Sequence, residues 1–166
     1  MKKTKITKLL AMLVVVASVL VCLVSCGGNV AASGTAYIVI ENGAGADEFY
    51  TVYEVDLSKV ENKNEGAMAL LEYLASEKDS TLYYSINWGG GYGAYVNSIA
   101  SLTPEGAEYI SVYTSNEADF AKPDAYSPVV STVDYNGVTL TYSGLGISQM
   151  NIKDGTVVLF RLESWS

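Results

Sequence analysis

The sequence predicts an α+β domain: a mixed or mostly antiparallel sheet of about seven strands with one covering helix. Three observations carry this expectation. Runs rich in Val, Ile, Tyr and Thr recur along the chain, separated by Asn-Gly, Asp-Gly and glycine-rich breaks. A single segment has clear helical spacing of its apolar residues. Once an N-terminal leader is set aside, the remainder suits one hydrophobic core.

The leader comes first. Lys2, Lys3, Lys5 and Lys8 precede an apolar run from Leu9 to Val21, and the segment ends at Leu23-Val24-Ser25-Cys26. A basic start and an apolar middle mark export. The closing tetrapeptide resembles the lipobox of bacterial lipoproteins, which implies cleavage before Cys26 and a diacylglyceryl group on its thiol. Residues 1–25 are then a signal peptide, 26–34 a lipidated tether of small residues, and 35–166 the folded domain. Fully extended, the eight residues from Gly27 to Gly34 reach about 28 Å.

Within the domain, Tyr37 to Ile40 reads as a strand, Asn42 to Gly45 as a turn, and Phe49 to Leu57 as a second strand, the two forming a hairpin. Glu65 to Ser76 is the helix, with Ala67, Leu70, Leu71 and Leu74 on one face and Asn64 as its expected N-cap. Leu82 to Trp88 is the next strand, Gly89 to Gly93 a loop, and Tyr95 to Ile99 a short extended segment. Tyr109 to Tyr113 is strand-like, and Asn116 to Pro128 is expected to form a long surface loop. Asn136-Gly137 predicts a hairpin turn before Val138 to Tyr142, and Asp154-Gly155 a second before the last strand, Thr156 to Leu162.

Composition excludes several chemistries. There is no histidine, so no Ser-His-Asp or Cys-His machinery and no imidazole metal site. Four of the ten basic residues belong to the leader, leaving six against 18 acids and a net charge of −12. That balance disfavours nucleic acid and anionic head groups. Cys22 leaves with the leader and Cys26 takes the lipid, so no thiol remains for a disulfide, a metal or a nucleophile.

Gly89-Gly90-Gly91 with Gly93 has the look of a phosphate loop, but no Lys-Ser or Lys-Thr follows it and the next segment is not helical. The carboxylates Asp47, Glu48, Glu54, Asp56, Glu105, Glu108, Asp119 and Asp134 form no pairing pattern and are expected on a solvated surface. Glu61 to Gly66 lacks the spacing of a calcium loop. Aromatics around the glycines are more informative. Trp88, Gly90, Gly91, Tyr92 and Tyr95 are the candidate ligand-binding residues, because tyrosine and tryptophan offer flat apolar faces with a polar edge suited to sugars and ring systems.

Several segments together resemble the transcobalamin-like C-terminal domain of bacterial surface proteins: the helix Gly66 to Ser76, the run Gly91 to Ile99, the strand Tyr109 to Tyr113, Gly144-Leu145-Gly146-Ile147-Ser148, and Asp154-Gly155 before an apolar last strand. The likeness spans about Thr35 to Leu162. It implies a β-grasp-like sheet crossed by one helix, and a surface that forms one side of a corrinoid site. Ile110 stands where the family often has an aromatic, and Thr156 where it often has an acid. The helical partner domain of the animal carriers has no counterpart in these residues.

The expectation is a lipid-anchored protein on the extracytoplasmic face of a cell membrane. It is a monomeric, non-catalytic binding module for a corrinoid or another ring-bearing small molecule or glycan, with no cofactor of its own and no nucleic-acid partner. The alternative is a surface interaction or adhesion domain that meets an envelope protein.

Overall fold

A computed structural model describes residues 28–43, 46–125 and 127–165. Among the described residues there are ten strands and one α-helix: β1 (Asn29–Val30), β2 (Thr35–Glu41), β3 (Tyr50–Asp56), α1 (Gly66–Tyr73), β4 (Tyr84–Trp88), β5 (Ala94–Ile99), β6 (Glu108–Thr114), β7 (Thr132–Tyr135), β8 (Val138–Tyr142), β9 (Asn151–Ile152) and β10 (Val157–Ser164).

Six strands form the main sheet in the order β3-β2-β10-β6-β8-β7. β2 and β10 run parallel at its centre, with Val157 opposite Tyr37 and Phe160 opposite Ile40, and the other pairings are antiparallel. A central parallel pair joined through a hairpin and a crossing helix is consistent with a β-grasp-like fold, so the expected α+β class holds. The predicted hairpin is β2–β3. Asn136 and Gly137, both at positive φ (52° and 79°), form the tight turn between β7 and β8.

Alternation along the central strands gives the sheet two apolar faces. Ala36, Ile38 and Ile40 of β2 and Val158 and Phe160 of β10 point into the larger core, beneath α1 and the β4–β5 arm. Val39, Val157 and Leu159 point the other way, into a smaller core with Tyr113, Tyr135 and Leu140. Tyrosines dominate that second face. Tyr50 meets Tyr135 edge-on at 5.1 Å, and Tyr113 meets Tyr142 at 5.8 Å.

Four expectations need correction. Residues 28–31 of the segment assigned as a tether pack into the fold: β1 pairs parallel with β9, and Val30 is only 2% exposed. Small residues suit flexible linkers, but here they allow close approach, since a Cβ on Gly28 would lie 2.2 Å from the Met150 carbonyl oxygen. Asn64 does not cap the helix. The cap is Glu65, without a side-chain bond, and the start is held from outside by the Met68 amide donating to the Ile147 carbonyl at 3.3 Å. After Tyr73 the helix widens into a π-helical turn, Leu74–Lys78. Asp154-Gly155 makes a turn but no hairpin, because β9 pairs with β1 and not with β10.

The fourth correction concerns the loop from Asn116. Its beginning is a buried latch. Asp119 is 1% exposed; its carboxylate accepts from the Asn151 amide (2.9 Å), the Asn151 side chain (2.7 Å) and the Asn116 side chain (3.3 Å). Burial raises its pKa above the ordinary carboxylate value, while these donors pull the other way. Polar composition predicted a solvated loop, but internal donors take the place of water.

Candidate functional site

The expected aromatic site is built on the β4–β5 arm, a two-stranded ribbon separate from the main sheet. Trp88 pairs with Ala94 and Asn87 with Tyr95, with an irregularity between Ser85 and Ile86. Ala94, Val96 and Ile99 are buried in the larger core and fix the arm to it. Beyond them the chain turns through Gly90–Tyr92, a single 3-10 turn, and returns at Gly93 with φ +90°. A side chain at Gly93 would be strained and would meet the Ser148 hydroxyl at 2.6 Å.

The segment 146–149 holds this turn. Gly146 donates its amide to the Tyr92 carbonyl (2.6 Å), and Ile147 donates to that of Ala94 (2.8 Å). The Ala94 amide donates to the Ser148 hydroxyl (2.9 Å), and the Gln149 side-chain amide donates to the Gly91 carbonyl (3.1 Å). Gly146 permits the approach, because a Cβ there would lie 2.5 Å from the Tyr92 oxygen.

A cleft of about 190 Å³ opens between the arm, β6 and the segment after β8. Tyr92, Tyr95 and Tyr142 border it, and Ile110, Val112 and Leu145 give it an apolar floor. Every residue lining it is uncharged. Tyr142 is partly buried, and desolvation, followed by the nearby Glu163, raises its pKa. A volume of this size is below the ~300 Å³ at which drug-sized sites begin. It admits one ring, not a whole corrinoid.

Of the predicted residues, Tyr92 and Tyr95 border the cleft. Gly90 and Gly91 belong to the adjoining 3-10 turn, and Gly91 is not in the lining. Trp88 is also outside the lining and is 63% exposed. Cys26 lies outside the described residues. Tyr142, Leu145 and Gly146 were missed as site residues, although the Gly144-Leu145-Gly146 spacing signals a backbone that must pass close to another. A larger open groove of about 730 Å³ lies along the outer side of α1, lined by Lys59, Glu61, Glu72, Glu77 and Lys78 among others. Its alternating charges and openness describe a solvated helix surface.

Among the described residues, no carboxylate lines the cleft. Glu41 and Glu163 instead flank Arg161 at 3.5 Å and 3.6 Å, on β2 and β10. Among the described residues, no group of three or more acids or thiols could hold a metal ion, and no helix is long and apolar enough to cross a membrane.

No protein-family model matches the sequence, and no curated protein matches it. Among solved structures, the chain is similar to a protein of Ruminococcus gnavus ATCC 29149 described as a candidate metal binding protein, with a TM-score of 0.47 and 10% identity over 80% of this chain and 99% of that one.

Proposed function

We propose that this chain is a non-catalytic, lipid-anchored binding module that takes an uncharged, ring-bearing ligand in the cleft bordered by Tyr92, Tyr95 and Tyr142. The observation that carries the reading is the cleft itself, which combines three tyrosines with an uncharged apolar floor. Such a surface packs on a ring face and offers phenol groups to its edge hydroxyls, as a sugar requires. At about 190 Å³ the cleft could engage only one edge of a corrinoid, leaving the rest to a partner.

Calorimetric titration of the full chain with cell-wall oligosaccharides and, separately, with cobalamin tests this proposal. A saturable heat that disappears in Tyr142→Ala or Tyr95→Ala supports it. No saturable heat from either class removes it. Saturation with cobalamin alone would transfer the assignment from a sugar to a corrinoid edge.

The second reading, an interaction or adhesion surface, draws on the edge strand β3, which pairs only with β2 and exposes Val52, with Phe49 just before it. An open edge can accept a strand from a partner. Glu54 and Asp56 on the same strand oppose this reading, since charges on an edge discourage pairing.

A further inference from the structure

Three stretches of the chain carry no charged residue at all: 26–40, 80–104 and 135–152. All 24 charged residues that follow Cys26 lie elsewhere. In the folded protein the three uncharged stretches meet. Ser148 is the junction: its carbonyl accepts from the Gly28 amide (2.8 Å), and its hydroxyl accepts from the amide of Ala94, the cross-strand partner of Trp88. Gly28 is therefore about three strand spacings, roughly 15 Å, from the arm's tip.

The direction of the chain matters as much as the distance. β1 runs parallel to β9, so moving back from Asn29 toward Gly28 follows the path from Asn151 back toward Gly146, which is bonded to Tyr92. Gly28 is fixed, and Cys26 is two residues further back. Two residues span about 7 Å, not the 28 Å of a free tether. At the tip, Trp88 and Tyr92 stand 63% and 64% exposed with no charge beside them in sequence.

We infer that the tip of the β4–β5 arm, through Trp88 and Tyr92, rests in the head-group region of the membrane that holds the Cys26 lipid. This rests on the lipid-anchor reading of the proposed function. Tryptophan and tyrosine favour the bilayer interface, where the ring is partly apolar and its polar edge is wet. A domain of net charge −12 approaches an anionic leaflet best through a part that carries no carboxylate of its own, and residues 80–104, which include the arm's tip, carry none. The short link then fixes the domain's orientation and turns the acidic remainder outward.

The test uses the full lipidated chain in phosphatidylcholine–phosphatidylglycerol vesicles carrying brominated acyl chains. Trp165→Phe leaves Trp88 as the only tryptophan, and Trp88→Phe leaves Trp165, which stacks on Tyr109 at 4.3 Å beside Glu163 and Glu108. Both tryptophans are exposed, so neither change empties the core. At least half of the Trp88 emission is expected to be lost to the bromines, with a blue shift, while Trp165 emission is retained. Vesicle-bound chain whose Trp88 is unquenched, or whose Trp165 is quenched as strongly, overturns the membrane seat and leaves the anchor standing. Mass spectrometry that finds no diacylglyceryl group on Cys26 overturns the anchor reading and the seat with it.

Discussion

Gly146→Ala is expected to loosen the arm from the rest of the domain, and the structure sets the size of the effect. The added Cβ would lie 2.5 Å from the Tyr92 carbonyl oxygen and 2.6 Å from that of Ala94. Both are backbone atoms and cannot rotate away. Restoring ordinary contact moves the two chains apart by nearly an ångström, which breaks the bonds from Gly146 to Tyr92 and from Ile147 to Ala94, now 2.6 Å and 2.8 Å long. Two hydrogen bonds at about 0.5–1.5 kcal/mol each, with about 1 kcal/mol or more of local overpacking, give a destabilisation of about 2–4 kcal/mol. Urea unfolding followed by circular dichroism measures it, and the same loss appears as a fall of about 5–15 °C in melting temperature. Gly91→Ala is the control: a Cβ there meets nothing within 4 Å, so the change is expected to stay within about 0.5 kcal/mol. If Gly146→Ala unfolds at the wild-type midpoint with an unchanged slope, the arm is not held as described.

Further outcomes follow from other parts of the fold. Val30→Ser is expected to cost about 1.5–3 kcal/mol in a urea titration, because the side chain is buried against the core; a segment that was only a tether would show no effect. Asp119→Ala strands the amide and side-chain donors of Asn151, while the Asn116 side chain keeps its bond to the Asn151 carbonyl, and is expected to cost about 2–3 kcal/mol or more by the same measurement. Tyr53 and Tyr113 have pKa values pushed up to about 12, each by burial first and then by a hydrogen bond to a carboxylate, Asp79 and Glu163 respectively. A raised folded pKa means that the native state keeps its proton longer than the unfolded state. The stability from these two phenols is therefore complete below about pH 10 and is lost as pH rises toward 12. Tyrosinate absorbance should show these two ionising only at the top of the titration or with unfolding; full ionisation near pH 10 in an intact fold would refute the assignment.

Two of the residues that border the cleft, Tyr92 and Tyr95, were legible in the sequence. The glycine turn and Tyr92 and Tyr95 are adjacent in the chain, so local composition could mark them. Tyr142 and Gly146 come from about fifty residues further along, and their place opposite Tyr92 is set by how β8 and β9 pass the arm. Trp88 has the same credentials as Tyr92 in sequence, but the pairing of Trp88 with Ala94 puts it at the ribbon's end, outside the cleft.

The sequence by itself determined the α+β class, the central strands, the single helix and the Asn136-Gly137 hairpin, because alternation, 3.6-residue spacing and turn chemistry are local properties. It also determined the acidic balance and the absence of histidine. Only the tertiary structure decided that Gly28 to Ala31 is docked, that Asp119 is buried among amide donors, and that Gly28, Ala94 and Ser148, from three uncharged stretches, meet at one junction. Each of these depends on which backbone groups meet across long separations. A small residue reads the same in a free linker as in a tight backbone crossing, and only the atoms opposite it tell the two apart.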